Sequence, residues 1–279
     1  MIKLYKFDGE IKILKCVNLF MFSQKKLKTY SYNANLKILN SKKNVNYFIK
    51  PYKHLVINNF FDQKLINKCL KNFPNISDKN WEFTNDKDIE IKYRSKWTSE
   101  FDIPEGVIDV VRILNGANFL KSVSKIFKIK KLIPDPYFTG GGLNVTKKGG
   151  LLDVHVDGNY HDATGLNRRL NSILFLNKNW TQKWGGEFGL YDSKGVKCLK
   201  KIEPIFNRLI VFDTHDSSWH GLPDPINFPK NNPRKSVILY YYTKEERSLD
   251  QTKVKKPHSA LWKKRGEKDK RGKRTRYFD

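Results

Sequence analysis

The apolar positions of the chain change period once, near residue 133. Before that point they recur at helical spacing. Asp62 stands where an N-cap is expected, and Leu65, Ile66, Cys69, Leu70 and Phe73 follow on one face until Pro74 stops the run. Pro104 opens a second helical stretch with Val107, Ile108, Val111 and Leu114 on one face. Asn115-Gly116 interrupts it, and Phe119, Leu120, Val123, Ile126 and Phe127 continue as a third. Ahead of these, residues 52–61 alternate weakly and read as a strand. Residues 11–22 are apolar but broken by Lys12 and Lys15. They read as a strand or edge segment, too short to span a bilayer and without the core and cleavage site of a signal peptide.

After residue 133 the period is two. Segments 141–146, 151–157, 169–177, 186–192, 207–214 and 235–243 each read as strands, separated by Gly-, Asn-, Lys- and Pro-rich turns. Short strands without interleaved helices predict a mainly β fold, an antiparallel barrel or jelly roll with the earlier helices packed on one outer face. The expected organisation is an N-terminal extension of open structure (1–50), a domain over 51–245 with its core at 133–245, and a basic tail (246–279). From Lys244 onward there are 14 Lys and Arg against 6 Asp and Glu, a composition expected to be loosely ordered.

Composition adds mainly charge. Lys and Arg number 54 and Asp and Glu 28, a formal net charge of +26. That excess fits a polyanion partner, with the basic tail as its contact. It equally fits a Lys- and Asn-rich chain whose charge is spread over a solvated surface, and no nucleic-acid motif favours the first reading. Hydrophobic residues at 39% exclude a disordered chain. Cys16, Cys69 and Cys198 are far apart, odd in number and form no CxxC pair. They predict reduced thiols and a cytoplasmic setting.

The chemistry concentrates in "DVHVDGNYHD" (153–162). On a strand, Asp153, His155 and Asp157 share one face, so His155 can share a metal with either aspartate. Position favours Asp157, because Gly158-Asn159 ends the strand directly after it and sets it at the mouth of a barrel. A mononuclear site of two histidines and one carboxylate needs a second histidine. "DTHDSSWHG" offers His215 and His220 just beyond the apolar run "RLIVF", and either can reach the same barrel end. Fourteen residues after His220 stands Arg234, opening "RKSVILYYYT", where Arg234 and Ser236 share a face. A buried guanidinium needs an anion. Its fork suits a carboxylate held in two parallel hydrogen bonds, to which Ser236 can add a hydroxyl.

In order, "HVD", "WHG" and "RKS" on strands of a late all-β region resemble the HxD…H…R pattern of the iron(II)- and 2-oxoglutarate-dependent oxygenases. The surrounding text, "RRLNSILFLNKNW…WGGEFGLYD…PIFNRLIVFDTHDSSWHG…NPRKSVILYYY", resembles the prolyl 4-hydroxylase-like branch. The resemblance covers about 52–245 and is strongest over 141–243. It implies a double-stranded β-helix, with His155, Asp157 and His220 as iron ligands and Arg234 on the distal carboxylate of 2-oxoglutarate. It also implies Ser236 as that arginine's helper and Asn171 as a further co-substrate contact. Asp153, His161 and His215 become supporting or surface residues. Phe175 stands where relatives often carry a tyrosine near the co-substrate, which removes one hydrogen bond. The implied cofactors are Fe(II) and 2-oxoglutarate, with ascorbate as an auxiliary. The implied reaction is an O2-dependent hydroxylation that releases succinate and CO2, with a protein prolyl side chain the family-weighted substrate.

Expected substrate-gripping segments are 77–104, with Trp81, Tyr93, Arg94 and Trp97, and the 159–168 loop. Two other readings compete. One is a jelly-roll binding module whose basic surface holds nucleic acid or an acidic partner. The other is a metal-dependent dioxygenase without a keto-acid co-substrate. The triad with Arg234 weighs against the first as sole function, and Arg234-Lys235-Ser236 weighs against the second.

Overall fold

The computed structural model describes residues 3–7, 10–14, 22–78, 80–86, 89–248, 251–254, 256–263 and 276–277. Strands β1 (Lys3–Phe7) and β2 (Glu10–Leu14) pair as an antiparallel hairpin. The rest of the expected 11–22 strand, at residues 15–21, lies outside the described residues. Helix α1 (Gln24–Leu39) follows, then β3 (Tyr47–Phe48) and β4 (His54–Ile57). Helix α2 (Gln63–Lys71) begins where the sequence predicts, with the Asp62 carboxylate accepting from the Lys64 N–H at 2.8 Å. Strands β5 (Trp81–Asp86) and β6 (Glu90–Ser95) form a ribbon. Helices α3 (Val107–Leu114) and α4 (Ala117–Phe127) complete the helical layer.

The alternating region then folds as β7 (Ile133–Pro134), β8 (Gly142–Thr146), β9 (Leu152–Val156), β10 (Asn167–Phe175), β11 (Phe188–Tyr191), β12 (Cys198–Ile202), β13 (Leu209–Asp213), β14 (His220–Leu222) and β15 (Arg234–Thr243). One side of the molecule has the order β8-β15-β10-β13-β4-β3 and the other β9-β14-β11-β12. β6 joins them by pairing with both β8 and β9. This is the expected jelly roll, antiparallel throughout its β8–β15 strands.

Strand alternation builds two cores. Leu143, Leu174, Val211 and Leu239 face outward and meet Leu65, Val110, Phe119 and Val123 of the helices, so the helices cover one outer face as expected. Ile173, Phe175, Phe188 and Phe212 face inward and fill the space between the sheets.

Strands β5, β6 and β12 form where the sequence reads no alternation, and two further segments differ from the expectation. Helix α1, in the N-terminal stretch whose periodicity is weak, buries Tyr30, Ala34 and Ile38 in the same core as the other helices. One buried apolar side chain per turn supplies too narrow a stripe to read. Part of the basic tail is also ordered. Strand β16 (Leu261–Trp262) pairs antiparallel with β9, Leu261 opposite Val156 and Trp262 opposite His155, and the Lys263 N–H donates to the Val154 carbonyl at 2.8 Å. An apolar dipeptide inside a basic stretch covers an edge of β9 that would otherwise expose unpaired backbone groups. The pair Arg276–Tyr277 (β17) runs parallel to β16. Among the described residues no helix is long and apolar enough to cross a membrane.

Candidate active site

The HxD strand and the short β14 lie side by side, with His220 directly opposite His155. Asp157 follows the last residue of β9. The side-chain ligand atoms of His155, Asp157 and His220 all lie within 4.8 Å of one another. His155 Nε2 is 3.6 Å from Asp157 Oδ1, and His220 Nε2 is 3.3 Å from Asp157 Oδ2. Both imidazoles are tied by their other nitrogen. His155 Nδ1 lies 2.8 Å from the Asp153 carbonyl and His220 Nδ1 2.8 Å from the Ser218 carbonyl. A carbonyl can only accept, so each Nδ1 carries the proton and each Nε2 presents a lone pair inward. Such backbone anchoring fixes the rings of metal-binding histidines.

The electrostatics suit a cation. Burial alone would raise the Asp157 carboxyl. The neighbouring His220 and His155 rings and the Arg168 guanidinium outweigh it and hold the group well below the usual carboxylate range. Burial, opposed by Asp157 and aided by His155, keeps the His220 imidazole below its ordinary value, in the neutral form that ligates. Two buried histidines and one carboxylate make up the donor set that non-haem iron(II) sites use.

Deeper in the barrel, Arg234 is buried and donates from Nε to the Gly186 carbonyl at 3.0 Å, with its guanidinium 5.0 Å from the Phe175 ring centroid. Burial, opposed by Glu187, pulls it down to about 10, so the site is short of an anion. Ser236, two residues along the same face and opposite Phe175 in the sheet, has a buried hydroxyl with no partner among the described residues. A guanidinium short of an anion beside an unsatisfied hydroxyl fits a carboxylate.

Each predicted site residue has a definite place. His155, Asp157 and His220 converge, and Arg234 and Ser236 line the same barrel. Asn171 sits beside the triad, its Nδ2 donating to Asp157 Oδ2 at 2.6 Å. Asp153 is buried, with Oδ1 accepting from the Val154 N–H, and stays out of the cluster. His161 pairs with Asp135 at 2.9 Å. His215 lies beside Tyr52, with ring centroids 5.9 Å apart, away from the triad.

The sequence profile described as the 2OG-Fe(II) oxygenase superfamily matches residues 141–242, the stretch that holds all six of these predicted site residues. That stretch, 141–242, is what the chain shares with the superfamily. Over 111 residues it is 30% identical to the prolyl hydroxylase EGLN3 of Homo sapiens, an alignment covering 38% of this chain and 43% of the relative. The same enzyme of Mus musculus matches equally, so the alignment spans less than half the length of these curated relatives. Its fold is similar to that of a prolyl hydroxylase from Trichoplax adhaerens, solved in complex with a hypoxia inducible factor oxygen degradation domain peptide fragment. The TM-score is 0.51 at 17% identity, covering 80% of this chain and 94% of the other. At that identity the likeness is one of fold.

The mouth of the candidate metal site is a cavity of about 390 Å³, lined by Glu90, Lys92, Arg168, Tyr160, Tyr240 and Trp262 among others. Sequence reasoning missed Trp262 and Arg168. The Trp262 ring lies 4.7 Å from that of His155, carried there by the ordered part of the tail. Arg168 stacks 4.0 Å over Tyr240, donates to the Tyr242 hydroxyl and approaches Asp157 Oδ1 at 3.8 Å. The available signal for the first was the apolar pair Leu261-Trp262 inside the basic tail; Arg168 and Asn171 stand three residues apart and meet at Asp157 only because of a bulge between Arg168 and Leu170.

Proposed function

We propose that this protein is an iron(II)- and 2-oxoglutarate-dependent dioxygenase that hydroxylates a polypeptide side chain, prolyl in the reading its relatives favour. The observation that carries this is the triad of His155, Asp157 and His220 within 4.8 Å, in the same barrel as a buried Arg234 that has no carboxylate hydrogen-bond partner among the described residues. The bound iron and 2-oxoglutarate supply oxidising chemistry that couples loss of CO2, and formation of succinate, to hydroxylation of a C–H bond.

The protein's part is ligation, orientation and exclusion of water. His155 and His220 offer Nε2, and Asp157 offers its carboxylate, with Asn171 gripping Oδ2. Arg234 and Ser236 take the distal carboxylate of the co-substrate and set its reach toward the triad. The Phe188 and Phe212 rings, 5.3 and 4.9 Å from that of His220, keep the inner side of the site dry. At the mouth, Tyr160, Tyr240 and Trp262 offer apolar faces that suit a pyrrolidine ring. The Trichoplax adhaerens relative is described with a peptide bound, which supports a polypeptide substrate. A binding module alone would give no use to the convergent triad.

The test is anaerobic loading with Fe(II), addition of 2-oxoglutarate and then O2, ascorbate being supplied as reductant. Succinate formation, stimulated by a proline-containing peptide that gains one oxygen atom in mass, supports the reading. Tight metal binding without succinate would overturn it.

A further inference from the structure

The strands that carry the site have a second, outward face. One residue from Arg94, Asn144 and Ser236, alternation turns Tyr93, Val145 and Lys235 outward on β6, β8 and β15. There, between the sheet and the turn after α2, lies a groove of about 1000 Å³. Phe73, Ile76 and Val145 give it apolar walls and floor. Lys147, Lys148, Lys230 and Lys235 rim it, and none of the described residues lining it is acidic.

Lys235 is half-buried and its ammonium is set 5.7 Å from the Phe73 ring centroid. Burial lowers its affinity for the proton, and no carboxylate among the described residues opposes this. Clustered lysines on a partly apolar surface, one of them partly desolvated, are compensated by an anionic partner that brings apolar groups with it.

The aromatic rings narrow the class of partner. A single strand of nucleic acid needs open ring faces for its bases. Tyr93 is stacked by Phe83 at 4.5 Å, and the Lys147 ammonium sits 4.7 Å from its centroid. Phe73 is flanked by Trp81 at 6.0 Å and by Lys235. Both rings are thus already packed against neighbours, whereas Ile76, Val145 and the ring edges remain for aliphatic contact.

We propose that this groove is a docking site for an acidic polypeptide segment of a partner protein, with carboxylates on the four lysines and aliphatic side chains on Phe73, Ile76 and Val145. The site is separate from the triad and does not rest on the proposed reaction.

Fluorescence anisotropy of the full chain with a labelled Glu-Leu-Glu-Leu-Glu-Leu peptide tests it. Lys147→Glu with Lys230→Glu should weaken binding roughly tenfold or more. The equal charge reversal Lys121→Glu with Lys125→Glu, on α4, should leave it within about twofold. A Glu-Gly-Glu-Gly-Glu-Gly peptide should bind more weakly than the Leu peptide. Equal weakening by the two reversals would mean that only net charge is sensed and would overturn the proposal. So would equal binding of the Gly peptide, or an oligothymidylate of similar charge that binds more tightly than the Leu peptide and loses affinity through the Lys147/Lys230 reversal. Circular dichroism of each variant confirms that the fold is retained before binding is compared.

Discussion

The indole of Trp262 lies against the imidazole of His155, ring centroids 4.7 Å apart and planes 34° from parallel. The contact is fixed by backbone pairing of the same two residues. Around it the segment is tied down further. The His258 N–H donates to Asn159 Oδ1, and Asp216 accepts from the Lys253 and Val254 N–H groups. An ordered C-terminal strap therefore forms one wall of the metal site.

Trp262→Ala should weaken Fe(II) affinity about threefold to tenfold, the worth of one aromatic contact, while Trp262→Phe retains most of it. Anaerobic titration of Fe(II), read with a competing chelator, checks this. A Trp262→Ala variant with unchanged metal affinity but impaired turnover would place the residue on the substrate side instead.

Asn171→Ala should weaken metal affinity roughly tenfold to a hundredfold, the usual cost of losing a group that orients a ligand. The premise is its 2.6 Å bond to Asp157 Oδ2. Calorimetric titration of metal and of 2-oxoglutarate separates two roles. If only the co-substrate titration changes, Asn171 contacts 2-oxoglutarate and does not position Asp157.

Arg234→Ala should weaken 2-oxoglutarate binding by about 30- to 3,000-fold, equivalent to about 2–5 kcal/mol for a buried charge pair. Fe(II) affinity without co-substrate should barely move. Arg234→Lys should fall between, because an ammonium restores the charge but not the fork. Unchanged co-substrate affinity in Arg234→Ala would make Arg234 a structural strand residue.

His54 should give the protein an acid sensitivity. It is buried in β4, with Nδ1 2.8 Å from the Tyr52 carbonyl. Burial, opposed by that hydrogen bond and aided by Lys200, lowers its pKa to about 4. The unfolded chain takes up this proton near pH 6.5, so the stabilising contribution is complete above that value and is lost as pH falls toward about 4. Between about pH 7 and about pH 5 the loss is on the order of 2 kcal/mol. Urea midpoints for the wild type and His54→Gln check it. The variant should show a smaller drop over that range, and equal drops would mean that other groups set the acid sensitivity.

Much of this was legible in the sequence because period carries face. The switch to alternation near residue 133 gave the jelly-roll strands, and strand ends gave Asp157 over Asp153. The second histidine required the family resemblance, since His215 and His220 are equivalent by position alone. The strap was not legible, because two apolar residues among many lysines carry no period, and their burial depends on an edge of β9 that only the folded sheet reveals. The role of Asn171 was hidden for a related reason. Its place on an inward face is readable, but its grip on Asp157 depends on how β9 and β10 approach across the barrel.

The central claim is tested most directly by metal-dependent succinate release from 2-oxoglutarate in five variants. The account predicts that His155→Ala, Asp157→Ala and His220→Ala each abolish Fe(II)-dependent succinate formation while retaining the native circular dichroism. It predicts that Asp153→Ala and His215→Ala retain measurable turnover and iron affinity within a few-fold of wild type, on the order of 1 kcal/mol or less. Succinate formation surviving in Asp157→Ala or His220→Ala, or lost only in Asp153→Ala or His215→Ala, would contradict it.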